Sequence, residues 1–224
     1  MKVAFLAYRP WAEKVAVAIR NHPAVSVLEV WKTLPDESSA IWNDVQLLIT
    51  CGWSSELGPI ANRVLSIGVH CAELDRYSYG TPLQLQILDG VRRTKHRVFK
   101  FTWNPDSQRA HTHDRIYSHE TYIDLTGNME DIFEQLTVTS KLLFRWFLDD
   151  YPNIKWNQWS VETLVRKPRI EKDSQLHRND FHNLTCEHLY DFMRCLGDPY
   201  PNAFLEDETG RLFFKEVDFK RRLP

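Results

Sequence analysis

Apolar residues in the first ninety positions come in short solid runs, not in strict alternation. "KVAFLAY" (2–8) is such a run and reads as a strand covered on both faces, as in a parallel sheet. "RPWAEKVAVAIRNHP" (9–23) then places Trp11, Val15, Ala18 and Ile19 at helical spacing behind Pro10, a residue suited to a first helical turn. "VSVLEVW" (25–31) and "VQLLITCGW" (45–53) predict a second and a third strand, with a helical turn or two between 36 and 43. "SIGVHC" (66–71) predicts a fourth strand, and "PLQLQILDG" (82–90) a helix opened by proline and closed by glycine. This order predicts an α/β fold built on a doubly wound, mostly parallel sheet with right-handed crossovers. Ligands of such sheets bind at the carboxyl ends of the strands, and His70 lies at one of those ends.

Beyond Gly90 the pattern changes. "TKHRVFKFTW" (94–103) and "THDRIYSHETYIDL" (112–125) alternate as antiparallel strands do, on either side of a polar loop. Residues 128–153 predict a long helix with Asn128 as N-cap, Glu130 and Asp131 in the first turn, and Ile132, Leu136, Leu143, Phe144 and Phe147 on one face. The stretch 153–182 is polar and aperiodic and reads as a linker or extended arm. A helix over 185–197 and a two-stranded turn in "AFLEDETGRLFFKEVDF" follow. The expected organisation is therefore an N-terminal α/β domain over 1–152, then an arm with a short helix and β-hairpin extension over 153–224.

Charge narrows the partners. Twenty-eight Lys and Arg against thirty Asp and Glu give a net charge of -2, so no global basic field favours nucleic acid. The opening "MKVAFLAYRPW" is too short in apolar residues for a signal core or a membrane span. Four cysteines without a Cys-x-x-Cys pair suggest neither a zinc ribbon nor a redox dithiol, and a reducing cytoplasm is expected. His111 and His113 with Asp114 have weak metal-ligand spacing; a solvated loop explains them as well, and no metal is expected. There is no Gly-x-Ser-x-Gly elbow and no phosphate-binding glycine loop. Cys71 follows His70 directly, so along a strand the two side chains point to opposite faces. What remains is His70 at a strand terminus, either a functional group or a hydrogen-bonded packing residue.

The segment "GVHCAELDRYSYGTPLQLQILDG" (68–90) resembles the signature of the folate-dependent formyltransferases, roughly Asn-x-His-x-x-x-Leu-Pro-x-x-x-Gly-x-x-Pro followed by a helix ending in Gly. His70, Leu74, Gly80, Pro82 and Gly90 carry the match, and "TPLQLQI" is close to the branch that formylates nucleotide-linked amino sugars and to the related formylation domains of peptide synthetases. "RIYSHETYIDLTGNMEDIF" and "HLYDFMRCLGDPYPNAFLEDETGRLFF" resemble later stretches of the same family in the same order. The initiator-tRNA formyltransferases are a poorer match, because they carry a complete C-terminal barrel and a basic tRNA-binding surface.

The resemblance implies transfer of a formyl group from 10-formyltetrahydrofolate to a primary amine, with a nucleotide-linked amino sugar as the expected small-molecule partner and a homodimer as the candidate assembly. The family's catalytic set is Asn, His and Asp. His70 matches, but the Asn position is Gly68 and the Asp position falls on Thr112. Asp114, two residues on, is a candidate replacement, and backbone N–H groups near Gly68 are a candidate oxyanion hole. A relative that binds folate or nucleotide sugar without turnover, and a hydrolase of the formyl donor, are the alternatives. By the same resemblance Trp53, Pro59 and His113 would lie beside the folate, and Tyr77, Tyr79, Gly80 and Thr81 beside the substrate. Trp53 and Pro59 fit a core role equally, and the tyrosines fit a simple sheet cap. Gln84 either reaches substrate from its helix or lies on a solvated face. Trp156 and Trp159 either stack on a base or anchor the arm.

Overall fold

A computed structural model describes residues 1–73, 76–77, 81–103, 105, 116–158, 169–197 and 200–222 of the chain. The strands are β1 (Lys2–Leu6), β2 (Val27–Trp31), β3 (Leu47–Thr50), β4 (Leu65–His70), β5 (Arg93–Lys100), β6 (Ile116–Asp124), β7 (Asn157–Gln158), β8 (Gln175–Leu176), β9 (Ala203–Asp207) and β10 (Gly210–Phe214). The helices are α1 (Pro10–Arg20), α2 (Ile60–Arg63), α3 (Pro82–Leu88), α4 (Met129–Asp150), α5 (Asp180–Asn183) and α6 (Cys186–Arg194). Contacts group the chain into two compact units, 1–71 with 95–123 and 134–161, and 72–94 with 124–133 and 162–224. A boundary at 152 is thus one of chain order, since 72–94 and 124–133 cohere with C-terminal residues.

The first unit is built on a seven-stranded sheet in the order β2-β1-β3-β4-β5-β6-β7. Neighbours from β2 to β4 run parallel, while β5 is antiparallel to β4 and β7 to β6. The solid apolar runs have the cause expected of them, because both faces are covered. Val3, Phe5, Leu47, Ile49 and Ile67 pack with Val15 and Ile19 of α1 and with Leu143, Phe144 and Phe147 of α4. Ala4, Leu6 and Leu48 pack on the opposite face with Trp42, Ile60 and Phe101. Trp156 joins the first of these clusters, its ring 6.0 Å from that of Phe147, which makes it an anchor; Trp159 lies outside the described residues.

The stretch expected to be an aperiodic arm has more order than its composition shows. β7 pairs with β6, a 3-10 turn covers Glu171–Ser174, and β8 pairs in parallel with β9. Ladder partners far along the chain supply what local periodicity lacks.

The second unit carries the sheet β10-β9-β8 and the helices α3, α5 and α6. Its polar centre is Asp191 of α6, 4% exposed, which accepts from both Nη atoms of Arg92 at 2.7 and 2.8 Å and from Arg194 Nε at 2.7 Å. Burial alone would raise its pKa, but the Arg92 and Arg194 hydrogen bonds override that and hold the carboxyl below its usual range. Arg194 Nη1 in turn donates to the carbonyls of Leu125 and Gly127 at 2.6 and 2.7 Å. Gly127 has φ +81°, and a Cβ there would stand 2.6 Å from Asp131 Oδ2. That carboxylate accepts from Asn128 N, and Asn128 Oδ1 accepts from Asp131 N, so the expected N-cap of α4 is reciprocal.

Candidate active site

β4 is the strand on which the site turns. It lies inside the sheet, paired with β3 on one edge and β5 on the other, and ends at the half-buried His70. Gly68 is two residues earlier and therefore on the same face as His70. Its partners are Thr50 across the parallel edge and Phe99 across the antiparallel edge. A Cβ on residue 68 would lie 2.5 Å from Thr50 Oγ1, 2.9 Å from Phe101 and 3.0 Å from Phe99. The space an asparagine side chain would need is filled by a threonine and two phenyl rings 4.6 Å apart. Phe99 also meets the His70 imidazole edge-on, with centroids 6.2 Å apart. The main chain at Gly68 is paired on both edges, with β3 and with β5.

Directly across from His70 on β5 stands Arg97, whose side chain is 7% exposed. Its Nε donates to Glu120 Oε2 at 2.8 Å and its Cζ lies 4.6 Å from the centre of the Tyr117 ring. One residue earlier, His96 is 1% exposed. Thr139 Oγ1 donates to the Gln135 carbonyl at 2.7 Å, so it accepts at 2.8 Å from His96 Nδ1, which assigns the proton to that nitrogen. Burial, with a lesser contribution from His70, pushes the His96 pKa down to about 3. His96 is therefore uncharged at neutral pH.

The neighbouring thiols offer no nucleophile. Burial pushes Cys71 up to about 11 and raises Cys51 as well, so both remain protonated thiols.

The other expected site residues divide. In the first unit Trp53 follows β3, packs edge-on against Tyr8 at 5.6 Å, and has a buried Nε1 with no hydrogen-bond partner. Pro59 is exposed and opens α2, which makes it a helix-start residue. In the second unit Tyr77 is 2% exposed and its hydroxyl donates to Asp89 Oδ2 at 2.8 Å, which is core packing and not a cap open to substrate. Gln84 is 2% exposed, so the solvated-face alternative does not hold, and its Nε2 has no partner. Thr81 precedes α3 without capping it, and its Oγ1 is likewise buried and unpartnered. Tyr79, Gly80, Thr112, His113 and Asp114 lie outside the described residues.

Buried polar atoms without partners are uncommon in native structures. Within the second unit Thr81 and Gln84 each carry such an atom, as Trp53 does in the first, and all three can donate a hydrogen bond. Among the described residues no group of His, Cys, Asp and Glu could hold a metal ion, and no helix is long and apolar enough to cross a membrane. Sequence reasoning missed Arg97, His96 and the filling of the space over residue 68. The alternation of "TKHRVFKF" does put Arg97 and Phe99 on one face, but nothing in it reveals which strand they oppose.

No protein-family model and no curated protein matches the chain. Solved structures do. Methionyl-tRNA formyltransferase from Clostridium thermocellum superposes with a TM-score of 0.77 at 20% identity, over 98% of this chain and 94% of that one. A sugar N-formyltransferase from a Shewanella species gives 0.72 at 14% identity, over 99% of each chain. HypX from Aquifex aeolicus, in complex with tetrahydrofolic acid, gives 0.68 at 12% identity, over 92% of this chain and 36% of that one. The chain has the formyltransferase fold, as the resemblance implied. The expected difference in extent from the tRNA enzymes is not seen here, since the Clostridium chain is matched over nearly all of its length.

Proposed function

We propose that the protein is an N-formyltransferase that moves a formyl group from 10-formyltetrahydrofolate to a primary amine, with a nucleotide-linked amino sugar as acceptor. The observation that carries this reading is His70 at the carboxyl end of β4 in a sheet of the formyltransferase fold. Neighbours that act on sugars, and one that holds tetrahydrofolic acid, support the acceptor class and the donor.

When bound, the donor supplies a formyl carbon already attached to a nitrogen leaving group. His70 hydrogen-bonds the formyl oxygen as the acceptor amine forms its C–N bond and gives up one proton, and the bond to the donor nitrogen then breaks as one proton is delivered to that nitrogen. A placed acid or base contributes about 10² to 10⁴ in rate. His70→Ala should therefore lower amine-dependent release of tetrahydrofolate by at least about 10²-fold.

The filled space over Gly68 favours a second reading, a ligand-binding relative without turnover. The assay is release of tetrahydrofolate from the formyl donor with a panel of nucleotide-linked amino sugars. Release that needs the amine and needs His70 supports transfer; release without any amine indicates hydrolysis. Tight folate binding with no release for any amine overturns the first reading in favour of the second.

A further inference from the structure

The Arg97 guanidinium is the charged group nearest in register to His70, and most of its hydrogen-bonding capacity is unspent. Only Nε has a partner among the described residues, and Nη1 is buried with none. A guanidinium carries five donors in a fixed fork, and a charged donor shut away from water without an acceptor is among the costliest arrangements in a protein interior. The local charge points the same way. Glu120 serves two cations, Arg97 at 2.8 Å and Lys95 at 3.6 Å, so among the described residues one carboxylate is shared between two positive charges.

Position makes this more than a stray ion pair. Arg97 is the direct antiparallel partner of His70, which sets their Cβ atoms about 4.5–5.5 Å apart on one face. The next pair along is Phe99 with Gly68, where no side-chain amide can stand. Stacking on Tyr117 and the bond to Glu120 hold the guanidinium plane before any ligand arrives. Phe99 beside it lowers the local dielectric, which strengthens any charge-assisted hydrogen bond made there.

We propose that Arg97 is the donor for the negatively charged oxygen that develops at His70 during formyl transfer, taking the part that residue 68 cannot play. This rests on the formyl-transfer reading, and its test has one readout that does not. The informative variant is Arg97→Lys, which keeps a cation for Glu120 but loses the second arm of the fork.

In the first experiment formate is titrated into the wild-type protein while the Arg97 guanidinium and His70 imidazole resonances are followed by NMR. A saturable shift that Arg97→Lys abolishes is expected; no shift in the wild type overturns the proposal whether or not the protein transfers formyl groups. In the second, steady-state kinetics with the formyl donor and a productive amine should show kcat lowered about 10²- to 10³-fold in Arg97→Lys with KM little changed. An unchanged kcat overturns the proposal and leaves the formyl-transfer reading standing. A raised KM at constant kcat also overturns it, since Arg97 would then hold an anionic group of the bound substrate. Arg97→Ala with added guanidinium supplies the control for folding, and recovery of kcat on addition supports the assignment.

Discussion

Gly68 and Gly127 are both positions where no side chain fits, yet for opposite reasons. At Gly127 the backbone is left-handed at φ +81° and the crowding atoms are polar: the Asp131 carboxylate, with Arg194 on the glycine's own carbonyl. At Gly68 the glycine needs no unusual backbone, and the space is taken by Thr50, Phe99 and Phe101. One glycine is demanded by chain geometry and charge, the other by what its neighbours across the sheet have grown into. The lesson for the site is that glycine at position 68 leaves no vacancy. A side-chain amide at 68 and the rings of Phe99 and Phe101 compete for one space, so Gly68→Asn alone cannot seat the amide.

The comparison can be broken at several points. The largest effect is expected where the polar glycine is held: Asp191→Ala strips Arg92 and Arg194 of their shared carboxylate and should cost about 3–5 kcal/mol by urea unfolding. A loss below about 1 kcal/mol would show that the charges around Gly127 are not what holds it. Gly68→Asn comes next, at about 3 kcal/mol, the upper end of overpacking, with no gain in formyl transfer. A stable Gly68→Asn protein with raised activity would mean that the rings yield easily. Gly127→Ala should cost about 2 kcal/mol from a strained φ.

Acidification separates the two regions without mutation. His96 has a folded pKa of about 3 against an ordinary 6.5, so the unfolded chain takes up that proton first and stability falls as the pH drops from 6.5 towards 3. The slope is at most about 1.4 kcal/mol per pH unit, and His96→Gln should flatten it in pH-dependent unfolding curves. Asp191, held below its ordinary 3.8, adds stability that is complete above that value and is lost as the pH falls through its lower folded value. The smallest effect is a coupling: Phe99→Leu should relieve Gly68→Ala by about 1 kcal/mol in a double-mutant cycle, and strict additivity would mean that the ring does not do the excluding.

Much of the architecture was legible because it depends on local pattern. The solid apolar runs of β1 and β3, the proline-led starts of α1 and α3, and the cap at Asn128 each carry their cause within a few residues. The place of His70 at the end of β4 was legible in the apolar run before it. What escaped depends on pairing between distant stretches. Gly68 gives no sign in the sequence that residues 50, 99 and 101 close over it, and Arg97 reads as one more surface cation until β5 is set against β4. The order of β7 and β8 was hidden likewise, since two-residue strands have no period. Tyr77 and Gln84 lie in a segment suited to substrate contact, but only three-dimensional packing shows both to be buried.

The hydrogen bond between His96 and Thr139 has a use apart from chemistry. An imidazole N–H shut away from solvent and fixed in one tautomer should give a slowly exchanging, downfield proton signal, well clear of the amide envelope. Because its acceptor sits on α4 while its donor sits on β5, that one signal exists only while helix and sheet remain docked. The protein thus carries a built-in spectroscopic gauge of its own integrity, readable in any variant or ligand titration without a label.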